Sequence, residues 1–169
     1  SRRSEAYIRP SPAGTTLGGV TRRSREALIL CEAAGFDVVI VETVGVGQSE
    51  TKVADMTDMF VLLQLPGGGD ELQGIKRGIM ELADLILINK ADDELQTLAE
   101  RSASEYRNAL RLLHPRLAHW NSEVLTCPAC DGVGLCESAV AVRRQRVTLE
   151  YIGTLRSLTA VPLARCLSC

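Results

Sequence analysis

The chain has 169 residues, 46% of them hydrophobic and 24% charged, which fits a globular domain with a real core and excludes a disordered chain. A net charge of −2 and a pI near 5.7 give no reason to expect nucleic acid or an anionic membrane as a partner. The apolar runs, such as "VVIV" and "FVLLQL", are strand-sized and far short of a membrane span, and with no visible leader the cytoplasm is the expected location.

In chain order, Thr21 is placed to cap a helix running through "RRSREALILCEAA" and stopping at Gly35. "DVVIVET" (37–43) follows as a strand, then "MFVLLQL" (59–65) as a second. A helix from Asp70 carries Leu72, Ile75, Ile79 and Leu82 on one face. "DLILINK" (84–90) is the third strand. The next helix starts at Asp92 or Asp93, with Leu95, Leu98, Ala99, Tyr106, Leu110 and Leu113 at helical spacing and Pro115 beyond its end. "SEVLTC" (122–127) is the fourth strand. The strands are continuous apolar runs without alternation, as in parallel sheets covered on both faces, so the fold class is α/β, doubly wound and mostly parallel. The segment 136–169 is weakly specified.

In such a sheet ligands sit beyond the carboxyl ends of the strands. Three of those ends carry polar or glycine-rich sequence: "ETVGVGQ", "PGGGDE" and "NKAD". In the last, Asp92 can accept two hydrogen bonds from the N1 and exocyclic amine of guanine, a donor pair that adenine lacks. Asn89 would brace the loop and the Lys90 stem would cover the base; the plain alternative is a solvated Asx turn. In "VVIVETVGVG", an acidic residue ends a strand with glycine at the third position beyond it. Glu42 would hold Mg2+ directly or through water, and Gly45 would offer its backbone N–H to a terminal phosphate. An ordinary strand-end turn is the alternative there.

With these motifs in order, "AYIRPSP", "LGGVTRRSREALILCEAAGFDVVIVETVGVGQSE", "GGGDELQGIKRGIMELADLILINKAD" and "RLLHPR" resemble the MeaB/ArgK group of GTPases, over about residues 5 to 127. The resemblance implies a P-loop NTPase-like fold and a cytoplasmic, homodimeric, Mg2+-dependent protein that binds and hydrolyses GTP. It implies a chaperone for cobalamin-dependent methylmalonyl-CoA mutase, with an older naming as a lysine/arginine/ornithine transport ATPase. By position, Glu42 and Gly45 match the metal and γ-phosphate site, and Asn89, Lys90 and Asp92 the guanine site. The segment 67–77 matches one that couples nucleotide state to the mutase, through Asp70, Gln73, Lys76 and Arg77; a helix start capped by Asp70 is the plain alternative.

The chain departs from that pattern in three places. "GTTLGGVT" (14–21) has P-loop glycine spacing but Val20 where lysine is required. The first residue is Ser1, not Met, and a partial sequence is expected: residues 1–135 as an incomplete G domain and 136–169 as a tail. The P-loop strand, by resemblance, would lie between the 37–43 and 59–65 strands; its loss would leave two rows of backbone groups unpaired, giving poor stability and weak or no GTP binding. Near Cys127 the family has a Ser-Ala element; Pro128 takes the serine position while Ala129 is kept, and no dimerising arm is recognisable. Cys127 and Cys130, with Cys166 and Cys169, also make two C-x-x-C pairs that could hold zinc, although their separation exceeds the usual spacing. A non-enzymatic partner-binding module, with or without that zinc, is the rival reading.

Overall fold

The computed structural model describes residues 7–10, 17–36, 38–43, 49–67, 77–113, 120–128, 141–142 and 160–165. Its elements in order are α1 (Leu17–Ala33), β1 (Val39–Thr43), α2 (Ser49–Ala54), β2 (Val61–Gln64), α3 (Arg77–Leu82), β3 (Leu85–Asn89), a 3-10 turn (Asp93–Leu95), α4 (Gln96–Leu110), β4 (Glu123–Cys127) and β5 (Ala160–Arg165). The five strands form one sheet in the order β1-β5-β2-β3-β4, and every neighbouring pair is parallel.

The apolar runs divide between the two faces because successive side chains of a strand point oppositely. On one face Phe60, Leu62, Ile86, Ile88 and Val124 pack with Met80 and Ala83 and with Ala99, Ala103 and Tyr106 of α4. On the other, Met59, Val61, Leu85 and Leu87 pack with Ala141. Ile86 and Ile88 are wholly buried, which is why "LILI" shows no polar alternation.

The amino ends of β2, β3 and β4 are stitched together by Asp84, which is 1% exposed. Its Oδ2 accepts the Phe60 N–H at 2.7 Å, and its own N–H donates to the Phe60 carbonyl at 2.9 Å. The Asp84 carbonyl accepts Trp120 Nε1–H at 3.0 Å, and Ser122 Oγ donates to the Ala83 carbonyl at 2.7 Å. That edge is thereby closed with protein partners, and the loops at the carboxyl edge are left for other chemistry.

Helix α1 ends as its sequence predicts. Gly35 takes φ 85°, its N–H donates to the Glu32 carbonyl at 3.0 Å, and the Phe36 N–H reaches the Cys31 carbonyl at 3.1 Å. This double bond pattern satisfies carbonyls that a helix end otherwise orphans, and glycine is the residue that takes the left-handed position without strain. The helix begins at Leu17, however, so Thr21 lies inside it and is not its cap. Gly18 and Gly19 are therefore helical, and Gly14 lies outside the described residues.

Two further differences concern the sheet. Helix α2 was not expected; at six residues it is too short to show a periodicity. The position expected to stand empty between β1 and β2 is taken by β5, which pairs Val41 with Pro162 on one side and Val61 with Leu163 on the other. The rows of backbone groups expected to be unpaired thus face a strand drawn from the 136–169 segment. The helix expected from Asp70 is described from Arg77 onward, and Asp70, Gln73 and Lys76 lie outside the described residues.

Candidate functional site

The all-parallel sheet brings the polar strand ends to one edge. Glu42 is the next-to-last residue of β1, and its side chain is exposed. Beside it in sequence, Thr43 is 8% exposed, and its Oγ1 is buried without a hydrogen-bond partner. Gly45 lies outside the described residues.

Asn89 is the last residue of β3. Its Oδ1 accepts the Lys90 N–H at 2.9 Å, leaving the amide nitrogen as the donor end of the side chain. Lys90 has φ 57°, a left-handed conformation uncommon outside glycine, asparagine and aspartate. Ala91 is buried at 7%, and its N–H donates to the Cys127 carbonyl at 3.3 Å, tying the loop to the end of β4. Asp92 is half-buried, and its carbonyl accepts the Leu95 N–H at 2.9 Å, which starts the turn into α4. Asn89, Lys90 and Asp92 are thus held on one short braced loop.

Glu42 and this loop belong to the ends of β1 and β3, three strand steps apart in the sheet order, or roughly 14 Å at about 4.8 Å per step. That separation is on the scale of an extended nucleoside triphosphate. The exposed Glu42 carboxylate suits Mg2+, which is commonly held by one or two carboxylates together with substrate phosphates rather than by an all-protein cage. Among the described residues no group of three or more His, Cys, Asp or Glu could hold a metal by itself.

Of the other predicted residues, Arg77 opens α3, and Ala129 lies outside the described residues, as do Cys130, Cys166 and Cys169. Cys127 is buried at the end of β4, with its Sγ 3.8 Å from the Pro128 carbonyl oxygen. Sequence reasoning missed Ser102, which is 3% exposed and whose Oγ accepts the Gly67 N–H at 3.1 Å. Its only sequence signal is a serine on the apolar side of α4, beside Ala99, Ala103 and Tyr106. A separate cavity of about 470 Å³, lined by Tyr7, Arg23, Leu30, Cys31 and Phe36 among others, shares no residue with the strand-end positions.

The family described as "Methylmalonyl Co-A mutase-associated GTPase MeaB" matches residues 1–160. "GTPase ArgK" of Escherichia coli is 49% identical over 158 residues, which is 94% of this chain and 48% of that protein. "Methylmalonic aciduria type A homolog, mitochondrial" of Mus musculus is 57% identical over 137 residues, 81% of this chain and 33% of that protein. Among solved structures, an "LAO/AO transport system kinase" aligns with a TM-score of 0.80 at 45% identity, over 92% of this chain and 48% of the other. The chain spans about half, or less, of the length of the curated relatives it matches.

Proposed function

The chain belongs to the methylmalonyl-CoA mutase-associated GTPase (MeaB) family, and from that premise we propose that it forms the base-reading and metal-holding side of a GTP site. Asp92 accepts the N1 and exocyclic-amine protons of guanine, Asn89 braces the loop and meets the other base edge, and the Lys90 stem covers the ring. Ala129 adds a backbone contact to the base. Glu42 holds Mg2+ and Gly45 donates its N–H to the terminal phosphate. Mg2+ held by Glu42 would supply charge neutralisation for the phosphates of a bound GTP. The partner on this reading is the cobalamin-dependent mutase, met by Asp70, Gln73, Lys76 and Arg77.

The observation that carries the reading is the braced Asn89–Asp92 loop on the same sheet edge as Glu42. No lysine stands in the 14–21 segment, so base recognition is expected to dominate affinity. Isothermal titration with Mg2+ should show GTP and GMP binding within a few-fold of each other, and ATP not binding. Asp92→Asn should cut the preference for guanine at least about fivefold, since hydrogen bonds to a charged group enclosed by the base are worth on the order of 1–3 kcal/mol. Equal binding of ATP and GTP would overturn the assignment of the loop. GTP binding a hundredfold tighter than GMP would mean that the Glu42 and Gly45 side of the site, and not the base loop, dominates affinity.

The second reading is a partner-binding module that does not hydrolyse GTP, since no lysine stands in the 14–21 segment. Release of inorganic phosphate from GTP by the purified chain would exclude it. Mutase binding that is indifferent to nucleotide, or stoichiometric zinc on Cys127, Cys130, Cys166 and Cys169, would favour it.

A further inference from the structure

Strand β2 leaves the sheet through Leu65 and turns at Pro66 and Gly67. Gly67 takes φ 84°, so the turn needs glycine for its backbone angle, and Leu98 lies against it, its Cδ2 3.0 Å from where a Cβ would stand. The Gly67 N–H is held by Ser102 Oγ at 3.1 Å. Leu98 and Ser102 stand one turn apart on α4, so they share a face of that helix. The Asn89–Asp92 loop runs into the same helix, through the Asp92–Leu95 hydrogen bond and the 3-10 turn. The chain leaving β2 and the loop leaving β3 are therefore fastened to the same first turns of one rigid element.

We propose that Leu98 and Ser102 are positioning residues that couple base occupancy at Asn89–Asp92 to the Gly67 turn, the root of the 67–77 segment. The proposal rests on the reading of Asn89–Asp92 as the guanine loop. A base drawing on Asp92 shifts the N-terminal end of α4. The Ser102 hydroxyl and the Leu98 side chain move with that helix, and a single hydrogen bond and one apolar contact are sensitive to sub-ångström displacement. Linkage makes the coupling reciprocal: an event that fixes the Gly67 turn also changes base affinity.

The test is amide NMR on the full chain labelled with 15N, titrated with GMP and with AMP as control. GMP should shift the amides of Asn89 to Leu95 and also that of Gly67. Ser102→Ala should keep the loop shifts and lose most of the Gly67 shift, and its Gly67 amide should exchange with solvent about tenfold faster. Leu98→Ala, at a side chain 38% exposed, should reduce the Gly67 shift without unfolding the helix, so the test survives if the serine variant folds poorly. Loop shifts with an unmoved Gly67 amide in the unsubstituted chain would overturn the coupling alone, as would a Gly67 shift unchanged in both variants. No response at Asn89–Asp92 would overturn the guanine reading, and this proposal with it.

Discussion

At the scale of single residues, Asp84 is the side chain whose loss should be felt most widely. Its carboxylate accepts the Phe60 N–H at 2.7 Å from a position 1% exposed, so removing it takes the partner from a buried backbone donor. Asp84→Ala is expected to cost about 2–3 kcal/mol of unfolding free energy. Asp84→Asn keeps an acceptor oxygen of the same shape and should cost less than half as much. Urea midpoints of the two variants compare them directly; equal losses would mean that the acceptor is not what matters. None of this was legible in the sequence, because Phe60 is 24 residues away and Trp120 is 36 away. The turn at Asn89–Asp92 was legible for the opposite reason: the residues that form it are consecutive in the sequence, at the end of β3.

At the scale of elements, the four strands with β-branched and leucine-rich runs were readable to within about two residues; in β2 and β3, burial on both faces leaves a composition without polar alternation. Strand β5 was not readable. Its "AVPLAR" places Pro162 opposite Val41 in the middle of a sheet, where proline has no N–H for the ladder and normally argues against a central strand. The same fact yields a prediction. Pro162→Val supplies the missing donor and a better strand former, and is expected to raise stability by about 1 kcal/mol, measured by guanidinium denaturation. A loss of stability would mean that the β5 backbone does not sit in the ladder as paired.

At the scale of the whole molecule, β5 matters beyond its own hydrogen bonds. Among the described strands β1 pairs with β5 alone, and β1 is poorly covered, with Ile40 59% exposed and Val38, just before the strand, 56% exposed. The strands β2, β3 and β4, with α3 and α4, carry the larger core cluster. Glu42 is therefore held in register with Asn89–Asp92 chiefly through a strand that comes last in the sequence. A chain ending before Ala160 should keep the β2-β3-β4 unit and lose β1. In hydrogen exchange followed by mass spectrometry, peptides covering Val39–Thr43 should then exchange like an unfolded chain, while Leu85–Asn89 and Glu123–Cys127 stay protected. In the full chain the same β1 peptides should be protected and should open with the rest of the sheet. Unchanged β1 protection after truncation would show that α1 and α2 hold β1 without β5, and the two sides of the site would then owe their spacing to helix packing instead.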